Sequence, residues 1–188
     1  MRKLGVIAAL VAFALPCARA DAYRLEGGRW PTRTISYYTE TAAYAWSVDT
    51  AAYAWNTSGA QVQFVKSSRA NAKVLVGIRW YRHAGDATMH RVGGSIVRAE
   101  VGIQTGHDRY EMALIVAHEL GHVLGLDHET GACATMNPSV GDDHTTKCPA
   151  PPAGTWTCRL LQPDDVRGAV SLYGGTVRPW RGPSFCNR

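Results

Sequence analysis

Beyond its first twenty residues the chain has no apolar run approaching the about 20 residues that a membrane-spanning helix requires. That argues against a helical anchor in the remainder. No Cys-x-x-Cys pair occurs anywhere, so a site closed by four cysteines around a metal is not expected. Net charge is scarce too. The formal charge of +5 includes Arg2, Lys3 and Arg19, and without those three it falls to +2. A balance so near zero gives no reason to propose nucleic acid or a membrane surface as a partner.

What stands at the start has its own logic. Arg2 and Lys3 precede an apolar run from Leu4 to Leu15, followed by Ala18-Arg19-Ala20. Positive, apolar and small-residue segments in that order read as a secretory signal peptide over residues 1–20, cleaved after Ala20. Cys17 follows Pro16, where a lipid-anchored precursor would need a small residue, so this cysteine is expected to leave with the signal. The mature chain is expected to be secreted, extracellular and monomeric. Residues 21–188, 168 of the 188, are enough for a single domain with one core and too few for two.

The most informative stretch is His118-Glu-Leu-Gly-His-Val-Leu-Gly-Leu-Asp-His128. With Tyr110–Val116 helical, His118 and His122 fall one turn apart on one face and can point at a common metal ion. Gly125 has no Cβ, so it can take the left-handed conformation that ends a helix and let the chain return with His128 as a third ligand. Three neutral ligands leave one tetrahedral position for water, the arrangement of a catalytic zinc. Glu119, about 100° around the helix from His118, can reach that water as general base and acid without binding the metal.

The spacing, followed by Met136 in Ala-Thr-Met-Asn-Pro, resembles the extended motif of the metzincin zinc metallopeptidases. Within them it resembles the matrixins, because Pro138 stands two places after Met136, where astacin-like and serralysin-like relatives carry tyrosine. The resemblance covers nearly all of residues 33–174. It implies an α+β metzincin fold: a twisted mixed β-sheet, three main helices and an active-site cleft. It also implies one catalytic Zn2+ on His118, His122 and His128, with Met136 as an apolar base beneath the imidazoles. Leu114 would form the inner wall of the pocket for the residue after the cut bond, and Pro138-Ser139-Val140 the outer wall. The family usually has tyrosine where Val140 stands. Protein or peptide substrates and endopeptidase activity follow from the same resemblance. Matrixins often hold a second, structural zinc as well, but His83, Asp86, His90 and His107 do not reproduce its spacing, and Asp142, Asp143 and His144 read as solvated loop rather than a Ca2+ site. Matrixin zymogens block the zinc with a pro-segment cysteine; Asp21–Pro31 has none, so activity on folding, or restraint by something outside this chain, is expected.

Four cysteines remain after the signal, and three pairings are open to them. Cys133–Cys148 with Cys158–Cys186 is the favoured set. The first would close a loop carrying Met136 and Pro138, worth about 3 kcal/mol in the chain-entropy model. The second would staple the tail.

The order read from pattern is strand, helix, strands, helix, loop, helix. Arg33–Thr39, Gln61–Val65, Lys73–Trp80 (alternating as a half-buried strand does) and Gly94–Thr105 read as strands, and residues 83–90 as a loop. Ser47 is the expected N-cap of a helix ending near Asn56. Arg109–Leu124 is apolar almost all round and should be buried, and Pro163 opens a last helix that Gly174 stops. In the resembling family the strand before the motif helix lines the upper rim of the cleft. Two rival functions stand beside an endopeptidase: a non-catalytic, zinc-stabilised peptide-binding module, and a cell-wall peptide amidase. Glu119 separates the first of these, since a binding module has no use for a carboxylate beside an open coordination position.

Overall fold

The computed structural model describes residues 21–80, 83–138, 148 and 160–178. The elements run β1 (Arg24–Leu25), β2 (Thr34–Thr39), α1 (Ala45–Thr57), β3 (Gln63–Lys66), β4 (Val74–Ile78), β5 (Gly85–Val92), β6 (Ser95–Ile103), α2 (Arg109–Leu124), β7 (Leu126–Asp127) and α3 (Pro163–Tyr173). Five strands form one mixed sheet in the order β3-β2-β4-β6-β5. All pairs in it are parallel except β5 with β6. With the three α-helices among the described residues, this is the α+β metzincin arrangement expected from the resemblance. No helix among the described residues is long and apolar enough to cross a membrane.

The chain makes this sheet because β-branched residues occupy the strands and the crossovers carry apolar stripes. Ile35, Val74, Val76, Val101 and Ile103 are fully or almost fully buried, and the helices contribute Trp55, Met112, Leu120 and Leu124 to the same core. Trp55 also donates through Nε1 to the Ala117 carbonyl at 3.0 Å, which fixes α1 against α2.

Several expectations need correction. Residues 83–90 are not a loop: Gly85–Val92 is β5, an edge strand of the sheet, and its Gly and Asp start disguises it. The strand that directly precedes α2 is β6, paired on both sides, so the edge next to it is β5, and β3 forms the opposite edge. Val74 to Gly77 of β4 are all buried, rather than alternating, because β4 lies between β2 and β6 and the Glu40 and Arg79 side chains cover Gly77. Ser47 does not cap α1, which begins at Ala45; its hydroxyl instead donates to the Arg109 carbonyl at 2.7 Å, tying α1 to the start of α2. The expected signal peptide over residues 1–20, and the expected roles of Ser139, Val140, Asp142, Asp143, His144, Cys158 and Cys186, lie outside the described residues.

Helix α2 spans the expected Arg109–Leu124. Asp108 caps it by accepting from the N–H groups of Tyr110 and Glu111 at 2.7 and 2.9 Å, and Glu111 returns a bond to the Asp108 N–H. This reciprocal Asp-x-x-Glu box satisfies donors that would otherwise be orphaned at the helix start. At the other end Gly125 takes φ 101° and returns its N–H to the Gly121 and His122 carbonyls. Trp30 Nε1 donates to the Val123 carbonyl at 2.7 Å, and the Tyr173 hydroxyl donates to the Leu124 carbonyl at 2.8 Å. Both ends of α2 are therefore held, which sets the position of what it carries.

Candidate metal centre

Three side chains meet at the C-terminal half of α2. The Nε2 atoms of His118, His122 and His128 stand 3.1 Å from one another in all three pairs. A triangle with 3.1 Å edges has its corners about 1.8 Å from its centre, a spacing compatible with the about 2.0–2.1 Å of zinc–imidazole bonds. Among the described residues this is the group whose ligand atoms converge in that way.

The opposite ring nitrogens explain why the Nε2 lone pairs face inward. His118 Nδ1 is 2.6 Å from the Thr135 carbonyl and His122 Nδ1 is 2.8 Å from the Leu126 carbonyl. A carbonyl only accepts, so each Nδ1 carries the proton and each Nε2 is left as a free donor of electrons. Burial and the neighbouring His122 push the His118 ring down to about 3, and the same two causes lower His128. His122 moves the other way: burial disfavours its charge, but Glu26, Glu119 and the Leu126 carbonyl outweigh it. Neutral imidazoles are what a divalent cation needs.

The third histidine is brought in by two short strands that the sequence did not reveal. Directly after Gly125, β7 pairs antiparallel with β1, Arg24 opposite Asp127 and Leu25 opposite Leu126. Asp127 Oδ1 then accepts from the His128 N–H at 2.7 Å. The chain continues into a closed turn. Glu129, almost wholly buried, accepts from the N–H groups of Gly131 and Ala132 and from Asn137 Nδ2. The Glu129 N–H in turn reaches the Met136 carbonyl at 3.1 Å.

Met136 is buried against α2 where Gly121 leaves space for its sulfur. The turn around it is pinned by Asp165 on α3, which accepts from Thr135 N at 2.9 Å, Met136 N at 3.0 Å and Gln162 N at 2.7 Å. Burial pushes this carboxyl up to about 6, against the pull of those N–H groups. Asp164 and Asp165 read from sequence only as acids at a helix start; nothing local in the sequence marks a bond that spans about thirty residues. A disulfide joins Cys133 to Cys148 across the same turn.

Glu119 is 5% exposed and abuts β5: a Cβ on Gly85 would stand 2.5 Å from its Oε1. Burial pushes its carboxyl up to about 7, with the His122 charge opposing and Asp86 adding to the rise. The start of the rim strand and the carboxylate thus share one corner of the site. Of the pocket residues named from resemblance, Leu114 is buried in the core cluster one turn before His118, and Pro138 is exposed just past the Met136 turn.

Comparison with known proteins gives a family. The family model described as Matrixin matches residues 46–174. Stromelysin-3 of Homo sapiens is 27% identical, the alignment covering 86% of this chain and 34% of that protein. Stromelysin-1 of Equus caballus is 49% identical over 32% of this chain and 11% of its own length. Macrophage metalloelastase of Oryctolagus cuniculus is 42% identical over 33% and 11%. The chain thus spans about a third of the length of the stromelysin-3 relatives it matches.

Proposed function

The chain belongs to the matrixins, and from that premise we propose that it is a zinc-dependent endopeptidase, exported through residues 1–20 and acting as one catalytic domain over residues 21–188. The observation that carries the reading is the convergence of three imidazole nitrogens, 3.1 Å apart, beside a buried carboxylate. His118, His122 and His128 would hold the ion. When bound, zinc acidifies a water and polarises the peptide carbonyl.

The chain's own residues do the rest. The Thr135 and Leu126 carbonyls fix the rings of His118 and His122 so that no reorganisation is needed on loading. Glu119, with a carboxyl pushed towards neutrality by its burial, takes a proton from the attacking water and delivers it to the leaving amine. Met136 supports the rings from below without touching substrate. Among the described residues no strand pairs with the outer edge of β5, which could receive an extended peptide, and its first residue, Gly85, lies against Glu119. A peptide strand added there would run past the carboxylate.

A digest of a random peptide library tests this. Zinc-loaded protein is expected to cut internal bonds, and Glu119→Ala to bind zinc and peptide without cutting. Peptide binding with no cleavage by the unaltered protein would favour the binding module instead. Cleavage confined to cell-wall peptides would favour the amidase.

A further inference from the structure

The resemblance and the motif account for the three histidines and Glu119, but not for a carboxylate that approaches the triad from the other side. Glu26 lies just after β1, and its backbone N–H donates to the Gly125 carbonyl at 2.9 Å. The backbone of this segment also presses close to the turn: a Cβ on Gly125 would stand 2.5 Å from the Gly28 carbonyl oxygen. Residue 26 is therefore fixed to the end of α2 before its side chain is considered.

That side chain divides its two oxygens. Oε1 lies 3.4 Å from His122 Nδ1, and Oε2 is 2.6 Å from an Arg91 guanidinium nitrogen. The Leu126 carbonyl already accepts the His122 N–H at 2.8 Å, so the carboxylate sits alongside that bond and adds negative charge to it. Arg91 reaches Glu26 from β5, and two features make the reach possible. The register of β5 against β6 shifts between His90 and Arg91, and such a bulge re-aims the side chain that follows it. Its stem then crosses Gly28, where a Cβ would meet Arg91 Nε at 3.2 Å and Cδ at 3.4 Å. The bulge and the glycine thus let Arg91 hold one oxygen of the carboxylate whose other oxygen lies beside the His122 ring nitrogen.

We propose that Glu26, clamped by Arg91, is a positioning residue for the candidate metal ligand His122, so that the rim strand β5 is tied through two side chains to the metal centre. The inference rests on the triad being a zinc site. Its physical basis is that a carboxylate beside the far nitrogen of a ligating imidazole fixes the ring and makes the near nitrogen a stronger donor; loss of such a partner weakens metal binding by about 10–100-fold. The competing role is a plain ion pair that fastens the N-terminal segment to β5. Such partly exposed pairs contribute little to stability.

Equilibrium competition for zinc against a chromophoric chelator separates the two, read beside the thermal midpoint of the metal-free protein. Glu26→Gln preserves size and removes charge. It is expected to raise the zinc dissociation constant about tenfold or more while the metal-free midpoint barely moves. Arg91→Gln should shift zinc affinity the same way by less, and the double variant should bind no more weakly than Glu26→Gln alone, because Arg91 acts through Glu26. Lys66→Ala, which breaks the exposed pair with Asp49 elsewhere, is the control and should leave affinity unchanged. If the unaltered protein binds one zinc and Glu26→Gln binds it equally well, the inference is overturned and the zinc site stands. If the unaltered protein binds none, the reading beneath it falls. Should Glu26→Gln not fold, Arg91→Gln decides: wild-type zinc affinity in that variant overturns the proposal.

Discussion

Gly121 and Met136 meet with no room for a methyl group between them: a Cβ at position 121 would collide with the Met136 sulfur and lie 3.2 Å from its Cε. Gly121 stands between the candidate ligands His118 and His122, so the backbone of α2 rests directly on the turn that follows His128. The contact couples the two halves of the site.

Gly121→Ala is therefore expected to destabilise the protein although alanine is the better helix former. Overpacking costs about 1–3 kcal/mol and the propensity gain returns about 1. Trp55 lies 3.4 Å from the same point, which limits how far Met136 can move aside. Thermal unfolding should show a lowered midpoint and zinc titration a weaker site. A raised midpoint would show that Met136 yields freely and that the contact is incidental.

Asp165→Ala removes the acceptor of the Thr135, Met136 and Gln162 N–H groups at once. Each such bond to a charged group is worth about 1.5–3 kcal/mol, and unsatisfied buried donors add to the loss. A destabilisation of at least about 3 kcal/mol by denaturant titration is expected, with zinc retention reduced, since Thr135 also orients His118. A loss below about 1 kcal/mol would show that the turn holds its shape unaided.

Much of this site was legible because its information is local. The ligand spacing, Glu119 and the Gly125 stop all lie within eleven residues of one helix and its exit, and the span Arg109–Leu124 could be read from its apolar pattern. The Asp108–Glu111 cap is equally local, an Asp-x-x-Glu box at the helix start. The elements that hold the site in place were not legible for a different reason. β1 and β7 are two residues long, too short for any periodicity, and pair across about a hundred residues. Asp165 and Glu26 each touch the site from a distant part of the chain, and a lone acid carries no sign of its partner. β5 does not read as a strand because an edge strand needs little apolar alternation. Its Gly-Asp opening is turn chemistry by composition, yet Gly85 is there to make way for Glu119.

The Cys133–Cys148 bond spans 15 residues of sequence. A loop of that length is worth about 3 kcal/mol in the chain-entropy model. Replacing both cysteines with serine should lower unfolding free energy by about that amount and release the turn that carries Met136. Unchanged stability would mean that Asp165 and Glu129 suffice to hold it.

Tyr173 sets an alkaline limit. Burial pushes its hydroxyl up to about 12, while the group donates to the Leu124 carbonyl and accepts from Trp30 N. The folded protein thus keeps this proton between pH 10 and 12, where the unfolded chain loses it. Stability from this group is complete below about pH 10 and falls as pH rises towards 12, by up to about 2–3 kcal/mol. Denaturant titrations at pH 9 and 11 should show the decline, and Tyr173→Phe should show less of it. An equal slope in both would assign the decline to other groups.

Zinc K-edge X-ray absorption on the purified, oxidised protein is the most direct measurement of the central claim. One zinc per chain is expected, with three imidazole nitrogens at about 2.0–2.1 Å and one further oxygen, and with one imidazole lost in His128→Ala. A sulfur-containing shell, fewer than three imidazoles, or no zinc at all would contradict it.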